Sequence, residues 1–342
     1  MYSFKSDYSE GTHPQILEAL VRTNLEQSEG YGMDTYCEEA INAIKEKLEN
    51  DNVDIHFLIG GTQTNLIAIS AFLRPHEAAI SSNTGHIFIN EAGSIEATGH
   101  KVISVNVENG KLGREDVLSV LNSYTNEHVV KPKLVYISNS TEIGTIYTKS
   151  ELQELSNVCR ENNLILFMDG ARLGSALCCE KNNLTISDIS KLTDAFYIGG
   201  TKNGALFGEA LVICKDSLKE DFRYHLKQKG AMLAKGRLLG IQFLELFKEN
   251  LFFEIGYHEN NMANILRNGI EELGYKYLVD SPSNQIFPIL ENDVIDRLQE
   301  NYAFTIWSKI DDNKTAIRLV TSWATSKEIA EKFIQDLKAI SK

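Results

Sequence analysis

Short, uniformly apolar runs alternate with stretches of helical period along most of the chain. Ile55–Ile59, Lys101–Val105, Leu134–Ser138, Leu164–Met168, Ala195–Ile198 and Ala210–Cys214 read as strands. Between them lie amphipathic segments such as Ser150–Asn162, where Leu152, Leu155, Val158 and Cys159 share one face. Strands that are apolar throughout, rather than alternating, predict a sheet covered on both faces, hence a doubly wound α/β domain. Near residue 250 the pattern changes. A helix over Tyr257–Leu273, a strand over Gln285–Leu290, a helix over Asp293–Asn301, a strand over Thr315–Val320 and a last helix over Lys327–Ile340 predict a small α+β unit. The expected division is an N-terminal arm (1–14), a large α/β domain (15–250) and a C-terminal α+β domain (251–342). No flexible linker, repeat or low-complexity tract separates them.

Composition narrows the classes of function. With 342 residues, 43% of them hydrophobic, the chain can bury one large core and a smaller one. Apolar runs fall short of the ~20 residues that cross a bilayer, and Met1–Asp7 has neither the basic segment nor the apolar stretch of a secretory signal; the expected location is cytoplasmic. A net charge of -13 argues against a nucleic-acid or anionic-membrane partner. Cys37, Cys159, Cys178, Cys179 and Cys214 form no CxxC pair, and the eight histidines show no HExxH spacing. Reduced thiols and no metal site are expected.

The chemistry gathers at strand ends. Asp169-Gly170-Ala171-Arg172 follows one apolar run, and Gly199-Gly200-Thr201-Lys202-Asn203-Gly204 closes another. A carboxylate followed by a lysine among small residues is the order that pyridoxal phosphate chemistry needs. The lysine holds the cofactor aldehyde as an imine, and the carboxylate keeps the pyridine nitrogen protonated. Glycines beside Lys202 permit close approach, and the strand before it leads the amine inward, where desolvation lowers its pKa. Gly60-Gly61-Thr62-Gln63-Thr64-Asn65 follows a strand and opens a helix, which makes an anion site; alone it reads equally as an ordinary turn with a threonine cap. His86 follows a further short strand and suits stacking on a flat ring or proton exchange, with Glu91 placed to orient it. Arg172 and Arg318 have the fork that matches a carboxylate, although an arginine in solvent on an edge strand would look the same.

In this order the pieces resemble the threonine aldolases of the β-eliminating lyase group, nearest the low-specificity L-threonine aldolase and phenylserine aldolase branch. Lys5-Ser6-Asp7 is similar to the family's Arg-Ser-Asp, Tyr31-Gly32-Met33-Asp34 to Tyr-Gly-x-Asp, and Gly60-Gly61-Thr62-Gln63 to Thr-Gly-Thr-Gln. Asp169-Gly170-Ala171-Arg172 matches outright, and Arg318-Leu319-Val320-Thr321 resembles Arg-Leu/Phe-Val-Thr. The resemblance implies the PLP-dependent transferase-like (fold type I) architecture and pyridoxal 5'-phosphate as cofactor. It implies Lys202 as the imine-forming lysine, Asp169 as partner of the pyridine nitrogen, Gly61 and Thr62 as phosphate ligands, and His86 stacked on the ring. Ser6, Arg172 and Arg318 would hold the substrate carboxylate, and Lys235 would reach a neighbouring subunit's phosphate. Two departures stand out. Thr201-Lys202 replaces the usual Ser-Lys, and Ser140-Thr141-Glu142-Ile143-Gly144 stands where many relatives carry a histidine. The expected reaction is retro-aldol cleavage of an L-3-hydroxy amino acid (L-threonine, L-allo-threonine or L-phenylserine) to glycine and an aldehyde. His86 is the expected base and Glu142 its assistant. The alternatives are another β-eliminating lyase, racemase or aminotransferase on the same frame, or a non-catalytic binding protein that keeps it. A small amino-acid substrate and a homodimer or homotetramer complete the expectation.

Overall fold

The computed structural model describes residues 1–341; Lys342, the last residue of the expected C-terminal unit, lies outside the described residues. Among the described residues one sheet takes seven strands in the spatial order Asp54–Leu58, Glu209–Ile213, Ala195–Gly199, Ile165–Asp169, Lys131–Ser138, Glu77–Ser82 and Val102–Val105. Glu209–Ile213 pairs antiparallel with both of its neighbours, and the remaining pairs are parallel. Successive residues of these strands feed opposite apolar layers. Val135, Ile137, Leu166, Met168, Phe196 and Val212 pack on one face. Leu134, Tyr136, Ile165, Phe167, Tyr197 and Leu211 pack on the other. Burial on both faces explains why the strands read as continuous apolar runs.

A second, antiparallel sheet follows, in which Lys314–Val320 lies between Thr305–Lys309 on one side and Gln285–Ile286 with Pro288–Glu291 on the other. It packs with helices Leu251–Glu272 and Lys327–Ile340 around a third apolar cluster that includes Phe4, Leu266, Leu319 and Phe333. Arg318 is therefore on a central strand, not an edge. The expected strand over Gln285–Leu290 is broken at Phe287, where Pro288 removes a ladder N–H. The long helix begins at Leu251, earlier than Tyr257, because Leu251, Phe252 and Ile255 already supply a buried face.

The topology decides where chemistry can be. Six strands end at the same edge of the large sheet, and the antiparallel strand begins there. Loops leaving that edge carry Gly60–Thr62, His86, Glu142, Asp169 and Lys202, while Glu209 opens the reversed strand. Ligand sites in such sheets lie outside the carboxyl ends of the strands.

Candidate functional site

A cavity of about 310 Å³ opens at this edge, lined by Gly61, Thr62, His86, Glu142, Asp169 and Lys202 among others. Gly61 begins the helix Gly61–Phe72, so the N–H groups of Gly61 and Thr62 precede the first intrahelical bond, and both residues line the opening. A Cβ at Gly61 would lie 2.9 Å from the Tyr197 hydroxyl, so the helix sits as close to the sheet as a glycine allows.

Asp169 ends its strand almost wholly buried. Its Oδ2 accepts the Tyr136 hydroxyl at 2.5 Å and the Asn65 amide at 3.2 Å, and its Oδ1 accepts the Ala171 N–H at 2.9 Å. Burial acts to raise this carboxyl, but His86 and the hydrogen bonds from Tyr136, Tyr197 and Ala171 outweigh it, leaving the pKa below the ordinary value. A fixed anion at the cavity floor results. His86 holds Glu91 through Nδ1 at 2.7 Å, and Glu91 also accepts the Asn65 amide at 2.7 Å and the Ser94 hydroxyl at 2.6 Å. The contact puts the proton on Nδ1 of the neutral ring and turns a bare Nε2 the other way. Burial lowers the His86 pKa, yet Glu91 and Asp169 raise it more, with a net shift upward.

Glu142 receives the Ser138 hydroxyl at 2.7 Å and the His86 backbone N–H at 2.9 Å on Oε1. Its Oε2 is buried without a partner. Burial and then Asp169 raise its pKa. Lys202 enters from the loop after Gly199, its Nζ 5.9 Å from the centre of the Tyr8 ring. Burial and the nearby Arg172 charge lower its amine pKa, the condition for a nucleophilic lysine.

Arg172 lines the cavity but is already engaged: Nε and Nη2 donate to the two oxygens of Asp7 at 2.7 and 3.1 Å. Arg318 lies apart from the cavity wall, 5.3 Å over the Trp307 ring, with one N–H to the Lys5 carbonyl at 3.3 Å and a buried Nε that has no partner. Burial, then Arg172, lowers its pKa, which places the two guanidiniums within each other's field. Ser6 is half-buried and bonds to the Ser9 hydroxyl at 3.0 Å. Lys235 is exposed, on the segment beside a different hollow formed by Tyr31, Met33 and Cys37. The fold therefore brings to the cavity wall seven of the eleven residues singled out from sequence, namely Gly61, Thr62, His86, Glu142, Asp169, Arg172 and Lys202, with Glu91 behind His86. Sequence reading missed Asn65, Tyr136, Tyr197 and Glu209. The two tyrosines are hidden inside strand-like runs, although a tyrosine with a buried hydroxyl needs a partner.

This wall suits pyridoxal phosphate. A primary amine with lowered pKa, a buried anion and a helix N-terminus on one cavity wall match an aldehyde, a basic ring nitrogen and a phosphate. Among the described residues no group of three or more His, Cys, Asp or Glu side chains is placed to hold a metal ion. No helix among them is long and apolar enough to cross a membrane.

The profile of the beta-eliminating lyase family matches residues 3–292. A solved threonine aldolase structure from Leishmania major is 51% identical, superposes with a TM-score of 0.99 and covers 100% of both chains. The low specificity L-threonine aldolase of a Pseudomonas species is 28% identical, over 98% of this chain and 97% of that protein. A mutant aspartate aminotransferase of Thermus thermophilus, only 17% identical, shares the fold with a TM-score of 0.71 over 99% of this chain and 91% of its own.

Proposed function

Because the chain belongs to the beta-eliminating lyase family, we propose that it cleaves L-3-hydroxy amino acids to glycine and an aldehyde. It is a pyridoxal-phosphate-dependent lyase with the fold type I architecture. The observation that carries the aldolase reading is one small cavity holding the low-pKa amine of Lys202, the Asp169 anion and the unpartnered Oε2 of Glu142. L-Threonine, L-allo-threonine and L-phenylserine are the substrates proposed.

Bound pyridoxal phosphate supplies an electron sink for the negative charge left at the substrate Cα. In this reading Asp169 holds the ring nitrogen protonated, and Asn65, Tyr136 and Tyr197 keep that carboxylate ionised and oriented. Gly61 and Thr62 hold the phosphate with backbone N–H groups, and His86 lies against the ring. Lys202 would hold the cofactor aldehyde through its amine, whose pKa is lowered by burial and Arg172. Arg318, whose Nε lacks a partner, takes the substrate carboxylate with Ser6; Arg172 contributes N–H groups left free by Asp7. Fixing the carboxylate would restrict the substrate to one orientation in the cavity, which lowers the entropic part of the barrier. His86 Nε2, assisted by Glu142, accepts the proton of the β-hydroxyl as the aldehyde departs.

The same proposal takes residues 1–14 as an arm, 15–250 as the cofactor domain and 251–342 as a smaller domain; the two larger sheets support the division, while Leu251, Phe252 and Ile255 pack in the large-domain cluster and Phe4 in the smaller one. It takes the enzyme to be a cytoplasmic homodimer or homotetramer in which Lys235 serves a neighbouring copy's phosphate.

An absorbance spectrum followed by separate additions of glycine, L-threonine and L-phenylserine, with aldehyde detection, tests the reading. A visible cofactor band with release of acetaldehyde or benzaldehyde supports it, and the faster substrate identifies the preferred side chain. Keto acid or ammonia without aldehyde would transfer the enzyme to another reaction on the same frame.

A further inference from the structure

Glu209 is a buried acid to which the aldolase reading gives no part. Its strand neighbours are Leu58 on one side and Gly199 on the other, and these lead directly into the Gly60–Thr62 turn and the Thr201–Lys202 loop. It thus stands between the two loops and on the wall of the same cavity. Oε1 accepts the Thr201 hydroxyl at 2.9 Å and Oε2 the Gly200 N–H at 3.1 Å; neither contact brings a cation.

Burial pushes the carboxyl up to about 8, against the pull of the Thr201 hydroxyl, Lys202 and the Gly200 N–H, and Asp169 pushes it further up. The titratable groups facing it are Lys202, Asp169 from the Ile165–Asp169 strand and Tyr197 from the Ala195–Gly199 strand. The Asp54–Leu58 strand and the helix after it present Gly60, Gly61 and Thr62. A shift of this size favours the uncharged acid at neutral pH. Ionised, it would share a small, poorly screened cavity with a doubly charged phosphate, where like charges repel far more than in water.

We propose that Glu209 must be protonated for the cavity to hold the phosphate of pyridoxal phosphate, which makes it a positioning residue for the cofactor. This rests on the reading of Gly61 and Thr62 as the phosphate's ligands. The sign follows from linkage. Affinity is level while Glu209 keeps its proton and falls as pH rises through its pKa, tending to about tenfold per pH unit.

The test equilibrates the holoenzyme and its Glu209→Gln variant by ultrafiltration between pH 7 and 9.5 and measures free pyridoxal phosphate in the filtrate. Glutamine retains an acceptor for the Thr201 hydroxyl and cannot ionise. Lys202 and the cofactor titrate in both proteins, so the ratio of the two dissociation constants isolates Glu209. A ratio that climbs about tenfold over the last pH unit is expected. A constant ratio overturns the proposal and leaves the phosphate reading intact. Pyridoxal held as tightly as pyridoxal phosphate at pH 7 overturns the phosphate reading, and this proposal with it.

Discussion

At Asp7 the burial of a carboxylate is offset by two N–H groups of Arg172 and one of Asn284. Burial raises this acid, but Arg172 and Lys202 outweigh it, so its pKa is lowered from 3.8. A depressed acid contributes stability that is present above its unfolded pKa and lost as pH falls through the folded one. Asp7→Asn should accordingly lower the melting temperature at pH 7, by an amount equivalent to about 3–5 kcal/mol, because it strands a buried guanidinium. The gap between wild type and variant should close as pH falls below about 4; melting curves across that range check it, and a gap unchanged at pH 3 sinks the argument. For the chemistry, Glu142→Gln should slow aldehyde release by about a hundredfold or more. Glycine binding should change by only about threefold, since glycine has no hydroxyl proton to lose. Equal losses in both would remove Glu142 from proton transfer. That Asp169 and Lys202 reach one cavity was legible because each follows an apolar run among small residues. The approach of Tyr136 and Tyr197 to Asp169 was not, because it depends on strand register across the sheet, which a single sequence does not show. Arg172 was read as free to meet a ligand, because the chain separation from Asp7 hides their pairing.

The six strand runs were legible to within three residues at either end, whereas Glu77–Ser82, buried throughout, was signalled only as a short strand before His86; Lys327–Ile340 appears with the ends expected. Thr305–Lys309 went unread because its burial is only partial, leaving a mixed pattern with no clear period. The contact between helices was also invisible, although a glycine marks it. A Cβ at Gly256 in Leu251–Glu272 would lie 2.5 Å from the Gly174 carbonyl oxygen and 2.7 Å from its carbon. Backbone cannot swing aside as a side-chain tip can. Gly256→Ala gains about 1 kcal/mol of helix propensity and loses about 1–3 kcal/mol to overpacking, so a net loss is expected. The displaced segment includes Arg172, immediately before the Leu173–Leu177 helix, so cofactor or substrate binding should weaken with stability. Gly11→Ala, where an added Cβ meets nothing within 4 Å, should leave the melting temperature unchanged. Thermal denaturation of both variants checks the pair, and a Gly256→Ala protein as stable as wild type would show that the helices separate at little cost.

Among the described residues, three large apolar clusters and a small fourth hold most of the buried core, yet Leu17, Val21, Leu25, Tyr31 and Met33 remain exposed near the N-terminus. Leu17 and Val21 lie one turn apart on Pro14–Arg22, so they share a face. The Tyr31 N–H donates to the Ala234 carbonyl at 3.2 Å, and Arg237 donates to the carbonyls of Glu26 and Asn24. These contacts fasten the exposed Lys235 to the same region of surface. An apolar area of this kind beside a cation remote from its own cavity is the arrangement expected if a second copy covers it and receives Lys235. Each copy carries a net charge of -13, so association should tighten as added salt screens the repulsion. Sedimentation should give a mass of at least twice 38.4 kDa for the wild type and close to a single chain for Val21→Glu. If Lys235 completes a neighbour's phosphate site, the single-chain form should lose cofactor affinity as far as Lys235→Ala does, although Val21 is on a different helix from every cavity residue. Full cofactor affinity in a monomeric Val21→Glu protein would confine the site to one chain and leave Lys235 without a role there.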